Sequence, residues 1–218
     1  MQYKAIIFDF DNTIAKTREG VCELILWSLK QVENKTLVLN LQDIHRILEQ
    51  TEHFDLALKY IADEYGYDFN HILSIYRKNS TQVKYALCDG FKDFFDECFQ
   101  NREGLKLLLV TNRVNLLDLR LGDCGMSRSD FDFVIQPLIK DEQKPSSFMM
   151  QKAMDYLNQF DINPKDVLSI GDNIVDYQAG KDFGFDFAAV LGGASTCQEF
   201  LDLGLDKSRV FEKLSDIV

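Results

Sequence analysis

The chain has 218 residues, 46% apolar and 27% charged, which suits one globular domain carrying an insertion, or two small domains. Its formal net charge of −11 speaks against nucleic acid and anionic membrane surfaces as partners, because both need a basic face. An anionic substrate must then be drawn in by local cations, not by the field of the whole molecule. The five cysteines, Cys22, Cys88, Cys98, Cys124 and Cys197, are scattered and form no CxxC pair, so neither a disulfide framework nor a zinc site is indicated. A reducing cytosol is the expected compartment. The N-terminus runs straight into an apolar run with no signal-peptide shape, and no apolar stretch is long enough to span a bilayer.

Residues 5–8, Ala-Ile-Ile-Phe, read as a buried strand. Asp9 and Asp11 follow, where the strand should end. In an extended chain they point to the same side, roughly 6–7 Å apart. Two negative charges that near repel unless a cation or a shared proton intervenes. A metal ligand beside a proton donor is one arrangement that tolerates them. An Asx turn built on Asp11-Asn12-Thr13 is another.

From about residue 16 to residue 85 no strand is evident. Residues 21–29 are helical in type, and 41–48 place Leu41, Ile44, Ile47 and Leu48 on one face. Phe54, Ala57, Leu58, Ile61 and Tyr65 follow the same spacing, as do Ile72, Ile75 and Tyr76. The segment is expected to be an all-helical insertion. The stretches 16–20 and 84–90 are its hinges, with Gly20 and Gly90 as flexible or turn positions.

Beyond it, strands are expected at 105–110, 133–135, 167–170 and 187–190. Amphipathic helices are expected near 90–100, 114–124, 147–158, 174–183 and 196–203. Strand, helix, strand in repeated order predicts an α/β fold with a doubly wound, mostly parallel, Rossmann-like sheet, formed by 1–15 and 86–218. Ligands of such sheets gather at the carboxyl ends of the strands, at a topological switch point.

Four polar clusters fall at those ends or in the loops of this part: Asp9-Phe-Asp11-Asn-Thr13, Thr111-Asn112-Arg113, Lys144-Pro145 and Gly171-Asp172-Asn-Ile-Val-Asp176. Singly, each has an ordinary explanation as a helix cap, a solvated loop lysine or a tight turn. Together and in this order, they resemble the four motifs of the haloacid dehalogenase superfamily: Asp-x-Asp-x-Thr, Thr or Ser, Lys, and Gly-Asp-x-x-x-Asp. The resemblance spans nearly the whole chain. The insertion at 16–85 is similar to the α-helical cap domain of the phosphoglycolate phosphatase and β-phosphoglucomutase branch.

The resemblance implies a Mg²⁺-dependent phosphatase. Asp9 is its expected nucleophile, forming an aspartyl-phosphate, and Asp11 its general acid and base. Asp9, Asp172 and the backbone carbonyl of Asp11 are the expected metal ligands. Asp176 is expected to hold a metal-bound water or Lys144. Thr111 and the N–H of Asn112 are expected to grip the phosphoryl oxygens, with Lys144 neutralising Asp9 and the phosphate. Asp11 also speaks against dehalogenation, because carbon–halogen-cleaving members lack an acid there. A phosphonate hydrolase would need a Schiff-base lysine, and nothing singles one out among Lys30, Lys35, Lys59 and Lys78.

Three positions depart from the family pattern: Asn12 where Gly is usual, Lys16 where Asp is common, and Ser146 in place of a second proline. His45, His53 and His71 all lie in the insertion and read as surface or packing residues. Arg46, Arg77 and Lys78 read as solvated or substrate-facing. The expected partner is a small phosphorylated metabolite. A phosphosugar mutase of the same architecture is the nearest alternative, and a non-catalytic binding protein the more distant one. The metabolite and the oligomeric state are not legible.

Overall fold

Four consecutive apolar residues, each at most 1% exposed, make β1 (Ala5–Phe8) a strand covered on both faces. It lies in the middle of a six-stranded sheet of order β3-β2-β1-β4-β5-β6. Its companions are β2 (Lys106–Val110), β3 (Phe133–Ile135), β4 (Val167–Gly171), β5 (Asp186–Val190) and β6 (Val210–Phe211). Every pairing in the sheet is parallel, where the sequence had suggested a mostly parallel one. The computed structural model describes residues 3–32, 37–51, 54–100, 103–193 and 195–217.

The chain divides into two units, Met1–Lys16 with Leu87–Val218, and Thr17–Ala86. The first holds the sheet and the helices α5 (Phe91–Gln100), α6 (Leu117–Asp123), α7 (Phe148–Leu157), α8 (Ile174–Lys181) and α9 (Cys197–Asp202). The second holds α1 (Thr17–Lys30), α2 (Leu41–Thr51), α3 (Phe54–Tyr65) and α4 (Phe69–Lys78).

Alternation along β1 separates two packing layers. Ala5 and Ile7 join Leu108, Val110, Met149, Ala153 and Ala179 in the layer that covers α7 and α8. Phe8 points the other way, into an aromatic group with Phe91, Phe94 and Phe95 of α5 at ring separations of 5.7, 6.1 and 6.1 Å. The helical unit has a separate core, in which Ile25, Ile44, Leu58, Ile61 and Ile72 are fully buried.

The sequence misplaces three features. The two-residue β6 was not anticipated; it is too short and too half-buried to carry a period. The helix expected from 114 begins at Leu117, because Leu116 takes a left-handed φ of 58° that a helix cannot contain. Gly20 is not in a flexible link. It is buried inside α1, where any Cβ would overlap the ring of Tyr85. Gly90 does occupy a turn, with φ of +77°.

The stretches leading out of and back into the sheet unit run side by side. Ala15 bridges Leu87, the Cys88 N–H donates to the Ile14 carbonyl at 2.8 Å, and Lys16 pairs with Asp89 at 3.1 Å.

Candidate active site

The strand order reverses beside β1, whose neighbours are β2 and β4. The crevice at such a switch point is where a parallel sheet presents its carboxyl ends to a ligand. Asp9 continues the β1–β4 ladder by one residue, its N–H donating to the Ile170 carbonyl at 2.9 Å. The chain then turns through Asn12, which takes a left-handed φ of 57° and donates its N–H to the Ala15 carbonyl at 2.7 Å. Asparagine tolerates that conformation, so the usual glycine is not required here.

The Lys144 ammonium is buried against this strand end. Its Nζ donates to Asp9 Oδ1 at 2.6 Å and to the Val110 carbonyl at 2.8 Å, and pairs with Asp176 Oδ1 at 2.6 Å. The lysine sits on a loop after β3, and Asn112 holds that loop. The Lys144 N–H donates to Asn112 Oδ1 at 2.7 Å, and Asn112 Nδ2 donates to the Lys144 carbonyl at 3.0 Å. The Lys144–Pro145 peptide bond is cis.

After β4, Asn173 caps α8 by accepting from the Val175 N–H at 3.1 Å. Asp176 closes the capping box, its Oδ2 accepting from the Asn173 N–H at 3.1 Å. A local helix-start motif thereby aims the other oxygen of Asp176 at Lys144. Asp172 is held from the neighbouring loop after β5. Its carbonyl accepts from the Ser195 N–H at 3.2 Å, and Ser195 Oγ accepts from the Ile174 N–H at 3.0 Å. Gly193 lies so close that a Cβ there would overlap Asp172 Oδ2. Thr13 Oγ1 approaches Asp172 Oδ1 at 3.5 Å.

Asp9, Asp172 and Asp176 are all buried, and each offers an oxygen within 4.8 Å of the others. Three carboxylates against one ammonium leave two negative charges over. Burial first, and then the charges of Asp176, Asp172 and Asp11, hold the Asp9 carboxyl well above its usual range, against the pull of Lys144. For Lys144, burial works against the charged form, but Asp176 and Asp9 outweigh it and keep the ammonium protonated far into the alkaline range. A hard divalent cation with oxygen ligands fits this donor set by charge and by chemistry.

Asp11 and Asn112 line the same cleft, of about 130 Å³, together with Asp9, Lys144, Asp172 and Asp176. The Asp11 carboxylate is engaged by Arg113. Arg113 Nε donates to Oδ1 at 3.1 Å and to Oδ2 at 3.3 Å, and Nη2 donates to Oδ1 as well. Thr111 is fully buried at the end of β2, where its Oγ1 accepts from the Arg113 N–H at 3.1 Å. That leaves its hydroxyl proton to donate. So the structure gathers Asp9, Asp11, Asn112, Lys144, Asp172 and Asp176 at one cleft, whereas the fully buried Thr111 does not line it.

Sequence reasoning assigned no role to Arg113 or Gly193. Arg113 is the cation nearest in sequence to Thr111, and Gly192-Gly193 follow a strand end; both signals were visible but had no partner. His45 is half-buried and His71 exposed, while Arg46, Arg77, Lys30, Lys59 and Lys78 are exposed. His53 and Lys35 lie outside the described residues.

A curated relative, phosphoglycolate phosphatase of Aquifex aeolicus, is 25% identical over 201 residues, covering 87% of this chain and 85% of its own. Among solved structures, a haloacid dehalogenase family hydrolase from Deinococcus radiodurans with bound phosphate and sodium superposes with a TM-score of 0.75 at 18% identity, over 99% of this chain and 93% of that one. CbbY from Rhodobacter sphaeroides, in complex with xylulose-(1,5)bisphosphate, superposes with a TM-score of 0.66 at 20% identity, over 98% and 95%. Those two likenesses concern the fold. Residues 6–190, which carry all of β1 but its first residue, β2 through β5 and all the carboxylates of the cleft, match the family of haloacid dehalogenase-like hydrolases, and the chain belongs to that family.

Proposed function

We propose that this enzyme is a Mg²⁺-dependent phosphatase that hydrolyses a small phosphorylated metabolite through an aspartyl-phosphate on Asp9. The observation that carries the reading is the buried group of Asp9, Asp172 and Asp176, of which Asp9 and Asp176 pair with the Lys144 ammonium. The relatives named for phosphoglycolate, or solved with phosphate or a sugar bisphosphate, agree in substrate class.

Asp9 and Asp172, with the Asp11 carbonyl, would hold the ion. When bound, it would supply positive charge to the phosphoryl oxygens and lower the repulsion between substrate and carboxylates. The remaining work falls to side chains. An oxygen of Asp9 attacks phosphorus as the bond to the leaving oxygen breaks, and Asp11, entering the cycle in its acid form, delivers its proton to that oxygen. In the second half, Asp11 takes a proton from water, the water oxygen attacks phosphorus, and the bond to Asp9 breaks. Phosphate leaves, and both carboxyl groups return to their starting states. Lys144 neutralises Asp9 and the phosphoryl group, and Thr111 donates its hydroxyl proton to a phosphoryl oxygen.

The test is release of inorganic phosphate from a panel of small phosphate esters with Mg²⁺, for the wild type and Asp9→Asn. Loss of at least about 10³-fold in kcat with an unchanged circular dichroism spectrum is expected, given the size of such effects for nucleophiles. Turnover by Asp9→Asn near the wild-type rate would refute the assignment.

A further inference from the structure

We propose that Arg113 is a positioning residue: its guanidinium sets the orientation of the Asp11 carboxylate and thereby the proton transfers at the cleft. This rests on the phosphatase reading above. The two residues are 102 positions apart and meet through two nitrogens of the guanidinium, Nε and Nη2. A planar fork matched to a carboxylate defines orientation as well as attraction. The Asp11 side chain is 31% exposed and that of Arg113 is 16% exposed. A carboxylate at the mouth of a cleft with no such fork is free to exchange between staggered rotamers.

Arg113 is itself anchored. Its N–H donates to Thr111 Oγ1 at 3.1 Å, and its carbonyl accepts from Gln136 Nε2 at 2.6 Å. Its guanidinium lies 5.5 Å from the centre of the Phe10 ring. Gln136 is held in turn, its Oε1 accepting from Arg128 Nη2 at 2.5 Å, and Arg128 Nε donates to Asp118 Oδ1 at 2.5 Å. Both members of that last pair are exposed, so its contribution to stability is small. What the network supplies is a fixed main chain from which the guanidinium reaches Asp11.

A misplacement of about 1 Å in a reacting group costs on the order of 10²-fold. Arg113→Ala should therefore lower kcat for glycerol 2-phosphate by about 10–10²-fold with KM changed less than about twofold. The p-nitrophenol burst from p-nitrophenyl phosphate, whose leaving group needs no proton, should keep its rate within about twofold. Arg113→Lys should restore part of the loss. In an Asp11→Asn background, Arg113→Ala should add nothing further.

An effect that persists in that background, or a rise in KM with kcat unchanged, would mean that Arg113 contacts substrate and would overturn the proposal. So would an unchanged kcat in Arg113→Ala. If the wild type releases no phosphate from any ester, the phosphatase reading fails separately. Crystal structures of Arg113→Ala and Arg113→Lys then decide: a reoriented Asp11 carboxylate in the alanine variant supports the positioning role, and an unmoved one sinks it.

Discussion

At the scale of single residues, the cleft is built as much by small groups as by charged ones. Gly193 is the clearest case, since no other residue leaves room for the Asp172 carboxylate. Gly193→Ala is expected to displace that carboxylate and weaken Mg²⁺ binding by about 10–100-fold, the usual size of a loss of support behind a metal ligand. Calorimetric titration with Mg²⁺ checks this without any substrate, and unchanged affinity would show that the loop yields instead. Asn112 acts similarly at Lys144, through two bonds to main-chain atoms. These supports were hidden in the sequence because their partners are far away: Asn112 is 32 positions from Lys144, and Arg113 is 102 from Asp11. The strand-end residues were legible for the opposite reason. Asp9, Asp172 and Thr111 stand next to apolar runs, so their place at strand ends follows from local pattern alone.

At the scale of elements, β1 carries the cleft, and α5 braces its outer face. Phe8 meets Phe91, Phe94, Phe95 and Phe131 edge-on or tilted, at 5.7 to 6.4 Å. Phe8→Ala should cost about 3–5 kcal/mol in urea unfolding, the range for emptying a well-packed aromatic site. A loss under about 1 kcal/mol would show that the aromatic layer collapses freely into the gap. The strongest strands were legible because a parallel sheet covered on both faces leaves continuous apolar runs. β6 was not, since two half-buried residues at a sheet edge leave no such run. The start of α6 was missed because a backbone angle at Leu116, not a side-chain pattern, sets it.

At the scale of the whole molecule, the buried charge excess is a cost that folding must carry. Because the Asp9 carboxyl titrates above its ordinary value of 3.8 in the folded state, the folded chain binds a proton there more readily than the unfolded one. The contribution of Asp9 to metal-free stability therefore falls as pH rises from that value through the raised one. Added Mg²⁺ should raise the melting temperature, by the equivalent of about 2.7 kcal/mol at a hundredfold excess over Kd. The rise should be larger near about pH 7.5 than near about pH 5, where a proton competes for the site. Differential scanning fluorimetry at both pH values checks this, and a metal-indifferent melting curve would contradict it. The central place of β1 has a consequence of its own. Paired on both sides and sealed on both faces, its amides have no edge from which to open. They are expected to exchange their hydrogens with solvent only when the entire sheet comes apart. Terminal helices and edge strands can then fray and re-form many times while the Asp9 carboxylate keeps its station.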